Sequence, residues 1–270
     1  MRFIDKLRDA QQQKDSWLCV GLDPNPELIP PGVSLKTFCQ TIIDATHEQA
    51  CSFKFNLAFF LIYGPEGYAT LADMIAAVPD GIPVILDAKF GDIDYTAQQQ
   101  KHLTFDLLKA HAVTLTPYIG IECILPFLQN PDAMVLVLVR SANRFGNDFQ
   151  TWPSKESPLF RYVTAELNTL EQRYPGQIGV SAAATLPRDL ARIRSWAPNL
   201  PFLIPGVGVQ EGDLRSAVQH GATRTGIGPI INLTRAISHA SSGADFGEQA
   251  RAAAEHWVNA IRRERDALRV

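Results

Sequence analysis

Short apolar runs rich in Val, Ile and Leu recur along the chain, near 17–23, 52–56, 82–89, 111–116, 133–140, 177–182, 200–205 and 223–228, and each has the length of a buried strand. Between them, apolar positions fall at helical spacing over Leu35 to Gln49, Tyr68 to Val78, Thr96 to Lys109, Leu159 to Tyr174, Leu186 to Trp196 and Asp213 to His220. Strands that are hydrophobic on both faces need cover on both faces, so the alternation predicts an α/β fold with a parallel sheet. Eight such units in 270 residues match a closed (β/α)8 TIM barrel, with an open doubly wound sheet as the alternative. The charged, amphipathic start, MRFIDKLRDAQQQKDS, predicts a helix capping that barrel. A long C-terminal helix over 246–268 closes the barrel or supports a partner chain. No Pro/Ser/Gly-rich linker interrupts the pattern, so one domain over 1–270 is expected, and the polar stretch 143–158 reads as a long loop after the fifth strand.

Composition narrows the function classes. Apolar residues make up 46% and charged ones 20%, enough for a large core, and 25 Lys+Arg against 28 Asp+Glu give a net charge of −3 with no basic stripe. Nucleic acid and anionic membrane are therefore poor partners, and an anionic ligand must be gripped locally. Cys19, Cys39, Cys51 and Cys123 form no CxxC pair, which reads as reduced thiols in the cytoplasm. The longest apolar run, FNLAFFLIY at 55–63, is too short to span a bilayer, and Phe53, Phe55, Phe59 and Phe60 are expected in the core. The six histidines lack HExxH spacing and no GxSxG elbow is present, so neither a zinc site nor a serine nucleophile is predicted.

Charge appears where valines should end the strands. The third run closes as LDAKFGDI, so Asp87 and Lys89 lie two apart and, on a regular strand, share one face with Cα atoms roughly 7 Å apart. Lys54 sits among phenylalanines in the second run, and Asp23 ends the first in VGLDP. Surface ion pairs at strand ends would explain any one of these residues. Their concentration at the C-terminal ends of consecutive strands, where barrel active sites form, favours a catalytic array in which Lys and Asp alternate and each keeps its neighbour ionised. The seventh and eighth runs lead into PGVGVQEGD and NLTRAI, a glycine turn and an arginine, each followed by a helix whose N-terminus could favour a phosphate. GVGVQEG lacks dinucleotide spacing, so an ordinary tight turn is its alternative reading.

VGLDPNP, FKFN, DAKFGDI, PGVGVQEGD and NLTRAI together cover nearly the whole chain, which resembles the orotidine 5′-phosphate decarboxylases, in particular their longer bacterial branch. The resemblance implies decarboxylation of orotidine 5′-monophosphate to UMP in de novo pyrimidine synthesis, with no metal and no organic cofactor. It makes Lys89 the proton donor to C6, flanked by Asp87, Lys54 and Asp92. It gives the ribose to Asp23 and Lys54, the bridge between pyrimidine and phosphate to Gln210, and the phosphate to Arg235 with nearby backbone N–H groups, Gly208 among them. Asp92 and Thr96, with Ile93 beside them as a substrate contact, would reach the neighbouring subunit's site, so the implied active unit is a homodimer.

The chain departs from that family after the fifth strand. The branch carries Thr-Ser-Asn-Pro-Gly there, with a serine that contacts the pyrimidine, whereas this sequence has Ala142 at the serine position and Arg144 at the proline position. Ser141 is the nearest hydroxyl, and a regular continuation of the strand turns it away from the site. Phe90, Asp94 and Tyr95 also differ from the usual motif, so conserved chemistry with altered affinity or loop closure is expected. The rival readings are a Mg²⁺-dependent sugar-phosphate enzyme of the same superfamily and a non-catalytic nucleotide-binding barrel. The Lys54 ammonium argues against Mg²⁺, and the intact Lys54, Asp87, Lys89 and Asp92 set argues against a binding protein.

Overall fold

Eight parallel strands close on themselves in sequence order, with β1 (Leu18–Leu22) paired both to β2 (Ser52–Asn56) and to β8 (Ile230–Leu233). The wall between them is made by β3 (Val84–Phe90), β4 (Ala112–Leu115), β5 (Met134–Arg140), β6 (Ile178–Ala182) and β7 (Phe202–Pro205). This computed structural model describes residues 1–268, and the last two residues of the expected 1–270 domain lie outside them. The helices are α1 (Phe3–Lys14), α2 (Leu35–Thr46), α3 (Leu57–Leu61), α4 (Gly64–Ala77), α5 (Asp94–Lys101), α6 (Asn147–Gln150), α7 (Leu159–Arg173), α8 (Pro187–Trp196), α9 (Leu214–Gly221), α10 (Arg235–Ser238) and α11 (Phe246–Leu268). The (β/α)8 barrel predicted from the apolar pattern is the fold, and the open-sheet alternative is excluded by the β1–β8 pairing.

One strand lies elsewhere than predicted. Residues 223–228 form a turn in which Thr223 accepts from Gly226 through its carbonyl and from Ile227 through its hydroxyl, at 3.2 and 2.9 Å. Gly226, with φ at +84°, and Pro229 break the run, and the strand begins only at Ile230. The expected helix over 96–109 starts at Asp94 and widens to π-type turns over His102–Leu107. The 143–158 stretch is a loop as predicted, but it carries the single turn α6.

The lower half of the barrel is sealed by α1. Phe3, Ile4, Leu7 and Ala10 pack onto Cys19, Cys51, Ile85, Ala112, Met134, Leu203 and Ile230, which point into the N-terminal mouth from six strands and the connection's rim. Gln11 fixes the cap from the side, accepting from the Gly228 N–H and donating to the Gly228 carbonyl, each at 3.0 Å. On the outside of the ring α11 packs on α2 and α9, so the long helix completes the outer layer, and its Arg262 donates to the Lys14 and Asp15 carbonyls at the end of α1.

His111 stands under this cap. Its Nδ1 accepts from the Val84 N–H at 3.1 Å and its Nε2 lies 2.8 Å from Lys6 Nζ. Burial first, and then the charges of Lys6 and the chain's N-terminal ammonium, bring its pKa down to about 4. A proton bound by the unfolded chain near pH 6.5 is thus refused by the folded one, so stability falls as pH drops from 6.5 towards 4 and levels off below that window. Thermal melts across that range are expected to show a slope that His111→Gln reduces; an unchanged slope would remove His111 from the account.

Candidate active site

A cavity of about 620 Å³ opens at the C-terminal mouth, where the strand ends deliver their charged residues. Asp23 follows β1, Lys54 lies in β2, Asp87 and Lys89 in β3, and all four line it. Lys54 is 3% exposed, and its Nζ donates to Asp87 Oδ2 at 2.8 Å and lies 3.8 Å from Asp23 Oδ1. Lys89 Nζ donates to the other Asp87 oxygen at 2.6 Å. The predicted alternation Asp23–Lys54–Asp87–Lys89 is therefore continuous in space.

Burial acts against each charge and the neighbours reverse it. Burial by itself would raise the Asp87 carboxyl, yet Lys54 and Lys89 hold it well below the usual carboxylate range. Burial would likewise lower Lys54, and Asp87 with Asp23 instead raises it above the ordinary lysine value. Lys54 and Asp87 therefore both stay ionised at neutral pH. Lys89 is the accessible end, its side chain 50% exposed to the cavity mouth.

Lys89 reaches Asp87 by a route the sequence did not indicate. The register of β3 against β4 slips between Leu86 and Phe90, and Lys89 adopts φ of +49°, a left-handed conformation that costs a non-glycine residue about 1–3 kcal/mol. Thr114 on β4 holds this bend: its Oγ1 accepts the Lys89 N–H at 2.9 Å and donates to Asp87 Oδ1 at 2.8 Å. The Asp87–Lys89 pair is thus made by a bulge and a threonine clamp rather than by regular strand alternation. Thr114 was missed; a lone hydroxyl in the run AVTL was its only signal.

The remaining predicted residues divide. Ser141, Gln210 and Arg235 line the same cavity, whereas Gly208, Asp92, Ile93 and Thr96 do not. Ser141 enters because β5 is bulged at its end, with Leu138 opposite Ser181 but Arg140 opposite Ala182, which corrects the expectation that it turns away. Asp92 is half-buried and accepts the Ile93 N–H at 2.8 Å, while Ile93 is 63% exposed at the outer rim. Phe53, Phe55 and Phe60 are core as expected, but Phe59 lines the cavity. Asn232 and His239 also line it unpredicted, and His239 Nε2 donates to the Asp23 carbonyl at 3.0 Å.

The anion grip differs from the predicted one. The N-terminus of α9 is occupied by its own Asp213, which accepts the Ser216 N–H at 3.0 Å, while after β8 Arg235 opens the single turn α10. The glycine turn remains suited: Gly206 and Gly208 have φ of +100° and +88°, which leave the N–H groups of Gly208, Val209 and Gln210 without a protein acceptor among the described residues. Arg235 lines the same cavity as this turn, is exposed, and makes no ion pair among the described residues. A guanidinium without an ion pair and a set of free N–H groups beside one cavity can take a phosphate, and Lys54 and Lys89 line that same cavity.

Comparison with known proteins places this geometry. Residues 16–252 match the model of the orotidine 5′-phosphate decarboxylase / HUMPS family. An orotidine 5′-phosphate decarboxylase of Ralstonia nicotianae is 40% identical over 263 residues, covering 94% of this chain and 96% of that protein. One from Azoarcus sp. is 41% identical over 267 residues, covering 97% and 98%. Among solved structures, the Leishmania donovani OMP decarboxylase superposes with a TM-score of 0.85 at 36% identity, covering 98% of this chain and 99% of that one.

Proposed function

The chain belongs to the orotidine 5′-phosphate decarboxylase family, and on that basis we propose that it converts orotidine 5′-monophosphate to UMP and CO2, the last step of de novo pyrimidine synthesis, without a metal or organic cofactor. The observation that carries this reading is the buried Asp23–Lys54–Asp87–Lys89 array opening beside a phosphate grip.

Loss of CO2 leaves the bonding pair of electrons on C6, in the plane of the ring, where resonance gives little relief. An ammonium already fixed beside that carbon stabilises the developing charge without reorganising, and then transfers its proton to C6. Lys89 fits both tasks: Asp87 aims it, and its exposure lets the neutral amine recover a proton from water. Asp23 and Lys54 hold the ribose, Gln210 bridges pyrimidine and phosphate, and Arg235 with the Gly208–Gln210 N–H groups binds the phosphate. Phosphate binding remote from C6 then supplies energy to close the loops around the reacting carbon. The Lys54 ammonium stands between the Asp23 and Asp87 carboxylates, where a Mg²⁺ enzyme would place its ion, which favours direct charge stabilisation over metal assistance.

Purified protein dialysed against EDTA is expected to consume the orotate chromophore and release UMP and CO2 in equal amounts. Turnover only after Mg²⁺ is restored, or of a sugar phosphate instead, would replace this reading with the metal-dependent one. UMP binding without turnover would make the chain a nucleotide-binding barrel.

The position of Asp92, Ile93 and Thr96 supports a shared site. All three lie outside their own cavity at the start of α5, beside Tyr95, which is 78% exposed. In a homodimer they would enter the neighbouring cavity, Asp92 as a fifth charged member and Ile93 and Thr96 as substrate contacts. Mixing inactive Lys89→Ala with inactive Asp92→Ala protein is then expected to restore activity to about a quarter of wild type, the share of intact sites after random exchange of paired subunits. No recovery after demonstrated exchange would confine each site to one chain. The four buried, unpaired thiols fit a reducing compartment, and no described helix is long and apolar enough to cross a membrane, so we place the enzyme in the cytoplasm.

A further inference from the structure

Behind the cavity wall, at the end of β5, five polar side chains from β5, the loop after it, α6 and α8 form one connected chain. Arg140 is 4% exposed, and its guanidinium donates to Asp189 Oδ2 on α8 at 2.8 Å, to Gln150 Oε1 on α6 at 2.9 Å and to Asn147 Oδ1 at 2.6 Å. Gln150, itself buried, holds Ser141 from two sides: its Oε1 accepts the Ser141 N–H at 3.1 Å and its Nε2 donates to Ser141 Oγ at 3.0 Å. Buried polar groups joined in this way fix one arrangement, because losing any partner strands the next.

The loop is also shaped to let this happen. A Cβ on Gly146 would lie 3.1 Å from Ser141 Oγ and 3.2 Å from Gln150 Oε1, so the backbone at 146 packs directly on the pair. The bulge at Arg140 turns Ser141 to the cavity, and Ala142 and Asn143 follow it along the same wall. In the closed barrel β5 stands across the mouth from β1, and the phosphate grip is on β7 and β8. The 141–143 wall therefore faces the base of a nucleotide whose ribose and phosphate are held on the other side.

We propose that Gln150 is a positioning residue for base recognition, holding the 141–143 wall against the pyrimidine, with Arg140 anchoring Gln150 to α8 through Asp189. The proposal rests on the decarboxylase reading and deepens it. It gives this chain, which has Ala142 where the family carries a serine, a wall held by its own hydrogen-bond chain.

The test compares Gln150→Ala with Gln150→Glu, using UMP and ribose 5-phosphate as binding probes and orotidine 5′-monophosphate as substrate. A glutamate keeps an acceptor for Arg140, for the Ser141 N–H and for the Ser141 hydroxyl, so it is expected to act within about threefold of wild type. Gln150→Ala is expected to weaken UMP and raise KM about tenfold, with ribose 5-phosphate affinity and kcat within about threefold, the effect of one stranded buried hydrogen bond. Equal weakening of UMP and ribose 5-phosphate, or unchanged UMP affinity in Gln150→Ala, would overturn the proposal. If wild type binds both probes in the expected order but never turns over substrate, the enzyme reading fails and the positioning result still stands.

Discussion

Lys89→Ala is expected to lower kcat/KM for orotidine 5′-monophosphate by at least about 10⁴-fold, because one group supplies both the charge opposite the C6 carbanion and the proton that quenches it. Fold and nucleotide binding should survive. The side chain is half exposed and its removal buries no orphan, since Asp87 keeps Lys54 at 2.8 Å and Thr114 at 2.8 Å. The melting temperature and UMP affinity are therefore expected to stay close to wild type while turnover disappears. A variant that retains a tenth of the activity would remove Lys89 from the chemical step.

Asp87→Ala should damage both stability and catalysis. Its carboxylate accepts from Lys54, Lys89 and Thr114, and without it Lys54 is left 3% exposed with only Asp23 at 3.8 Å. Breaking a buried pair from one side costs about 3–5 kcal/mol, which in a chain of this size lowers the melting temperature by roughly 6–20 °C. Activity should fall by a further factor of about 10² or more, because Lys89 loses the contact that aims it. The carboxylate's charge is met by two ammonium groups, so its contribution in this site is to hold them in place. A variant of unchanged stability would contradict that ionised, interlocked array. Urea or thermal unfolding of Asp87→Ala beside Lys89→Ala separates the two roles.

The barrel was legible because its strands are hydrophobic on both faces, a pattern that only a covered parallel sheet satisfies. The eighth strand was misplaced because Ile227 extends the apolar pattern through Gly226 and Gly228 into a turn, and glycines weaken a strand without announcing where it starts. Asp23, Lys54, Asp87 and Lys89 were legible as charges that interrupt apolar strand ends. The way Lys89 joins them was not, since a left-handed bend held by Thr114 depends on a neighbouring strand 25 residues away. The same holds for the phosphate grip: the glycine turn and Arg235 could be read locally, but only the fold shows Asp213 closing the helix end. Arg140 and Gln150 escaped because a buried polar chain formed by strand, loop and helix has no linear spacing.

Whether an ammonium at position 89 does the chemistry can be tested by putting one back. In Lys89→Cys the introduced thiol would sit at the cavity mouth, while the four native cysteines are buried, with burial raising Cys19 and Cys39 to about 12 and Cys123 to about 11. Treatment with 2-bromoethylamine near pH 8.5 should therefore alkylate the introduced thiol selectively and return an ammonium at nearly the length of lysine. Lys89→Cys is expected to be inactive and to recover at least about a hundredfold in orotidine 5′-monophosphate decarboxylation on aminoethylation, in the presence of EDTA. A fully modified protein that binds UMP as wild type does and remains inactive would contradict that role for the ammonium.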